Sequence, residues 1–116
     1  GYGPADFQTG LDLMMTMDGA KAVSDVTATV AALRARPELS GGVASIGYCM
    51  GGRLSFLAAA NSGVDAAVSY YGGGIDSLLG EASKITCPLQ FHFAGNDDHI
   101  PPAAVARVRA ICSAMD

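Results

Sequence analysis

The sequence predicts an α/β protein built on a parallel sheet with helices on both faces. Three observations carry that prediction. Short apolar runs alternate with segments of helical period, each run ends in glycines, and the spacing between runs accommodates a crossover. The chain has 116 residues, the length of one domain. Its residues are 50% hydrophobic and 16% charged, a balance that supports a buried core and excludes a disordered chain.

The elements follow in order. Residues 1–18 are weakly patterned and punctuated by Gly3-Pro4 and Gly10, with Met14, Met15 and Met17 forming an apolar patch that begins a helix. From Gly19 to Arg36, Val23, Val26, Val30 and Leu33 recur at spacings of three and four on one helical face. Arg34 and Arg36 suit the negative end of that helix, and Pro37 stops it. Val43–Ile46 reads as a buried strand entered through Gly41-Gly42, and after Gly47–Gly52 a strong helix former runs from Arg53 to Ala60. Ala66–Tyr71 is the second strand, closed by Gly72–Gly74 and followed by a short helix near Ile75–Ala82. The third strand, Leu89–Ala94, is introduced by Pro88 and ends in Gly95–Asp98, and a last helix fits Ala103–Ala114. Right-handed crossovers put every strand's carboxyl end on one edge, where ligands bind in such folds.

Charge and cysteine usage exclude several functions. Lys+Arg of 7 against Asp+Glu of 11 gives a net charge of -4, with no electrostatic footprint for nucleic acid. No apolar run approaches the roughly twenty residues of a membrane span. Cys49, Cys87 and Cys112 form no Cys-x-x-Cys or Cys/His cluster, so neither a disulfide framework nor a metal site is expected. A reducing, cytoplasmic setting follows, with Cys87 and Cys112 as small buried hydrophobes.

Cys49 stands apart. Gly47-Tyr48-Cys49-Met50-Gly51 is G-x-S-x-G with cysteine in the serine position, set between an apolar strand and a helix. Such a turn holds its nucleophile in a strained conformation, and glycine two residues to either side relieves collisions. It lifts the Cys49 sulfur off the sheet at the positive end of the next helix, which favours thiolate. The Met50 N–H then stands as one half of an oxyanion hole. An acid belongs on a turn beyond a later strand, and Asp97 and Asp98 compete for it against an ordinary Asp-rich turn. Of the histidines, His92 lies inside a strand before the acid, and His99 is too near Asp97 to reach Cys49. No base for the cysteine is therefore expected within these residues. A second reading is a non-catalytic doubly wound α/β binding domain whose glycine turns merely shape a pocket. A cysteine phosphatase is excluded, because three residues rather than five separate Cys49 from Arg53.

Ile46–Ser55, Ala67–Gly72 and Phe91–Pro101 together resemble the dienelactone hydrolase (carboxymethylenebutenolidase) family in order and spacing, from about Asp18 onward. The resemblance implies that the chain is a fragment of an α/β-hydrolase fold, a single partial domain over residues 1–116. It would lack N-terminal strands and a C-terminal segment bearing the catalytic histidine. It further implies Cys49 as nucleophile, Asp97 rather than Asp98 as acid, and Tyr71 lining the site. The implied reaction is hydrolysis of a lactone or small carboxylic ester through an acyl-thioester, without cofactor or metal.

Overall fold

The computed structural model describes residues 1–115. Helix α1 spans Pro4–Met15, with proline in its first turn and the Asp6 carboxylate accepting the Gly3 N–H at 3.0 Å. The methionine patch therefore closes a helix instead of opening one. The next helix, α2 over Gly19–Arg34, begins where the Asp18 side chain accepts the Lys21 N–H at 3.0 Å. Val30 is buried and Val26 packs beside it, as the spacing predicts. At the far end the Arg34 guanidinium donates to the Gly63 carbonyl and to Asp65, both at 2.7 Å.

Strand β1 (Ala44–Tyr48) leads through Cys49 into α3 (Met50–Asn61), which returns to β2 (Ala66–Tyr70). Helix α3 thus starts three residues earlier than its apolar run suggests, at the turn itself. The short helix expected near Ile75–Ala82 is two 3-10 segments, Ile75–Ser77 and Leu79–Lys84. Strand β3 (Leu89–His92) and helix α4 (Pro102–Cys112) follow. The sheet is parallel, in the order β1-β2-β3, with Tyr48, Tyr70 and His92 in one row.

The parallel α/β architecture is as expected, but among the described residues helical packing is confined to one face. Ala67 of β2 and Leu89 and Phe91 of β3 pack against two buried clusters on that side. One cluster joins Val30 of α2 to Ala58 and Ala59 of α3, and the other joins Phe56 of α3 to Ile75, Ala82 and Val108 of α4. On the opposite face Ile46 is 61% and Tyr48 55% exposed. There Tyr70 stacks on Tyr48 with centroids 5.0 Å apart and on His92 at 4.3 Å. The reason is topological. The strand order advances in one direction, and successive right-handed crossovers in one direction fall on the same face; covering both faces needs a reversal. Helix α1 covers neither face: it buries no residue, and Phe7 and Met15 remain exposed.

Candidate active site

The row Tyr48–Tyr70–His92 ends the three strands at one edge, so Cys49, Tyr71 and the turn after β3 emerge together. The next ladder bonds hold that edge: Cys49 N–H donates to the Tyr70 carbonyl at 3.0 Å, and Tyr71 N–H to the His92 carbonyl at 2.7 Å. Cys49 is exposed and has φ 55° and ψ −118°, a conformation rarely adopted by a non-glycine residue. Arg53 N–H bonds back to the Cys49 carbonyl at 3.2 Å, so the strained residue caps α3 directly.

Sterics explain which glycines permit this turn. A Cβ at Gly47 would lie 1.9 Å from the Gly51 carbonyl oxygen, and one at Gly52 would lie 2.5 Å from the Tyr70 carbonyl oxygen. At Gly51 a Cβ would meet nothing within 4 Å. The close approaches are thus made by the glycines two before and three after Cys49, which corrects the expectation that Gly51 relieves a side-chain collision. The pattern Gly51-Gly52 carried that signal in the sequence, shifted by one residue.

Tyr71, 44% exposed, also has positive φ, 39°. Its ring lies 6.1 Å from that of Tyr48, beside the turn bearing Cys49. The Gly72–Gly74 turn that follows packs on the start of α3 and flanks the turn after β3. The Gly52 Cβ position is 3.1 Å from Gly72 Cα, and the Gly73 Cβ position is 4.0 Å from Ile100. Ile100 belongs to the turn of Asp97, whose Oδ1 accepts the His99 N–H at 2.7 Å and the Ile100 N–H at 3.2 Å. Both bonds use one oxygen, and Oδ2 makes no hydrogen bond among the described residues. Asp97 is 17% exposed at its side chain, whereas Asp98 is exposed and makes no side-chain hydrogen bond among the described residues. The histidines lie apart: His92 is stacked on Tyr70 in the sheet, and the His99 side chain is 95% exposed with Nδ1 3.8 Å from Asp97 Oδ1.

Cavities bear differently on the two residues. A cavity of about 360 Å³ is lined by Asp97, Ile100, Pro102 and Val105. The larger one, about 1000 Å³, runs along the unpaired edge of β3 beneath α4 and has no Cys49 in its wall. It is a groove left by an edge strand rather than a pocket over the reactive edge.

A parallel sheet whose first strand breaks at a strained turn into a helix, with further turns gathered on the same edge, defines an α/β-hydrolase-type domain. The sequence model of the dienelactone hydrolase family matches residues 1–115, and the chain belongs to that family. The match begins well before Asp18, where the sequence resemblance alone starts. Carboxymethylenebutenolidase of Pseudomonas putida is 38% identical over 89 residues, 77% of this chain and 38% of that protein. Carboxymethylenebutenolidase 1 of Cupriavidus pinatubonensis is 34% identical over 101 residues, 87% of this chain and 43% of its own length. That of Pseudomonas sp. strain P51 is 40% identical over 82 residues, 71% of this chain and 34% of its own length. The matches span less than half the length of these relatives. No helix among the described residues is long and apolar enough to cross a membrane.

Proposed function

We propose that the chain supplies the nucleophile and the acid of an enzyme that hydrolyses a lactone or small carboxylic ester. The observation that carries the reading is the strained backbone of an exposed cysteine at a strand-to-helix turn, with Gly47 packed against the helix it opens. The relatives' name, carboxymethylenebutenolidase, supports a lactone as substrate.

The Cys49 thiol, at the start of α3, gives its proton to a histidine base as its sulfur attacks the ester carbonyl, and a sulfur–carbon bond forms as the carbonyl oxygen takes the charge. The Met50 N–H, in the first turn of α3 with no acceptor inside the helix, helps to hold that oxygen. The carbon–oxygen bond then breaks; an ester's alcohol departs after taking a proton, whereas a lactone's ring oxygen takes the proton and stays on the acyl group, and water hydrolyses the acyl-thioester to the carboxylic acid and regenerates the thiol. Asp97, whose Oδ2 has no hydrogen bond among the described residues, orients a histidine supplied from outside residues 1–116, and Tyr71 lines the substrate. A reducing cytoplasm, which keeps the cysteines as free thiols, and a small-molecule substrate belong to the same reading; cofactor, metal and nucleic acid do not.

The test is hydrolysis of p-nitrophenyl acetate by the full-length protein and its Cys49→Ala and Asp97→Asn variants. Loss of turnover with Cys49→Ala, and an acetyl group on Cys49 by mass spectrometry in the parent, support the reading. Full turnover by Cys49→Ala refutes it. Residues 1–116 alone are expected to turn over little ester, and rapid saturable hydrolysis by that piece would return His99 to consideration as the base.

A further inference from the structure

Two basic side chains, Arg53 and Arg109, have no carboxylate partner among the described residues, and of these Arg109 is exposed whereas Arg53 is half-buried. Lys21, Arg34, Arg36, Lys84 and Arg107 each pair with a carboxylate, whereas the half-buried Arg53 side chain has neither ion pair nor hydrogen bond among the described residues. Its position is set by packing. A Cβ at Gly74 would lie 3.3 Å from Arg53 Nη1 and 3.7 Å from its Cδ, so the arginine occupies the space over that residue. Gly74 has φ 81°, and a side chain there would be strained as well as crowded.

At its other end Arg53 is tied to the nucleophile's turn, through its N–H to the Cys49 carbonyl. The Gly72–Gly74 turn beneath its side chain flanks Ile100, whose Cγ1 lies 4.0 Å from the Cβ position of Gly73, and Ile100 N–H donates to Asp97. One residue is therefore bonded through its backbone to Cys49 and packed through its side chain on the turn that flanks Ile100, the neighbour of Asp97. We propose that Arg53 is a positioning residue, which props the Gly72–Gly74 turn and thereby fixes Asp97 relative to Cys49. The proposal rests on the reading of Cys49 and Asp97 given above. The methylene stem supplies the packing, and the guanidinium remains in contact with water.

The experiment uses the full-length protein and p-nitrophenyl acetate, with Arg53→Ala and Arg53→Met each in the parent and in the Asp97→Asn background. Arg53→Ala is expected to lower kcat about tenfold, within the penalty for misplacing a catalytic group by a fraction of an ångström. KM stays within about twofold, and Cys49 alkylation by iodoacetamide keeps its rate, because substrate contacts and the thiol are untouched. Arg53→Met, which refills the space over Gly74, recovers most of kcat. In the Asp97→Asn background, Arg53→Ala adds less than about a twofold loss, since the residue it positions is already disabled. If Arg53→Ala does not fold, Arg53→Val, which keeps the stem at Cβ and Cγ but stops short of the Cδ position over Gly74, takes its place in each comparison. An unchanged kcat, a loss confined to KM, or the same loss in the Asp97→Asn background overturns the proposal. Full activity of Cys49→Ala instead overturns the reading beneath it, so the two failures are distinguishable.

Discussion

Replacing Gly47 by alanine tests the turn directly. The new Cβ would stand 1.9 Å from the Gly51 oxygen, 2.2 Å from its carbonyl carbon and 2.8 Å from Gly52 N. Every one of these atoms is backbone in the first turn of α3, so no rotamer change relieves the clash. Ordinary contact requires the start of the helix to retreat from β1 by roughly 1.5 Å, since packed carbon and oxygen atoms sit about 3.5 Å apart. That retreat would break the close seat of Gly52 on the Tyr70 carbonyl, 2.5 Å from the Gly52 Cβ position. Overpacking of well-filled interiors costs about 1–3 kcal/mol, and a rigid backbone clash belongs at the upper end. With a urea slope of about 1–3 kcal/mol/M, a loss of about 3 kcal/mol lowers the unfolding midpoint by roughly 1–3 M. Gly51→Ala is the internal control. Its Cβ meets nothing within 4 Å, and alanine in a helix is favoured over glycine by about 0.5–1 kcal/mol, so its midpoint should hold or rise. A Gly47→Ala midpoint within about 0.3 M of the parent, or a Gly51→Ala protein less stable than Gly47→Ala, would refute the steric account of the turn.

Other outcomes follow from the same structure. Phe56, fully buried against Ile75, Ala82 and Val108, should cost about 3–5 kcal/mol as Phe56→Ala in urea unfolding. The Val43 N–H, and next the Arg34 guanidinium, hold the Asp65 carboxyl below its ordinary value. A carboxyl lowered on folding stabilises above its unfolded value and loses that contribution as pH falls through the folded one. Asp65→Asn should therefore unfold at a less steeply changing midpoint below about pH 4 than the parent, and an identical acid profile would contradict the linkage. Iodoacetamide should label Cys49 before Cys87 and Cys112, as followed by peptide mass spectrometry, because Cys49 is exposed while burial pushes the Cys112 thiol up.

Local chemistry made much of the fold legible. The order of strands and helices, the stop of α2 before Pro37 and the turn around Cys49 each depend on residues close in sequence. Hydrophobic period and glycine placement encode such features within a few positions. The boundaries were less legible. Helix α1 is nucleated by Pro4 and Asp6, a cap that outweighs the weak apolar pattern around it. The 3-10 segments after Gly74 form where Ile75 and Ala82 must be buried beneath α4.

By itself, then, the sequence determined the α/β class, the strained strand-to-helix turn at Cys49 and the family, since these are written in contiguous residues. Tertiary structure alone decided the rest. It distinguished Gly47 and Gly52 from Gly51, because close approach depends on which backbone lies opposite. It separated the half-buried, hydrogen-bonded Asp97 from its exposed neighbour Asp98, and it laid Arg53 across Gly74. It also left one sheet face uncovered, because strand order, set by contacts between distant segments, fixes the side on which each crossover falls.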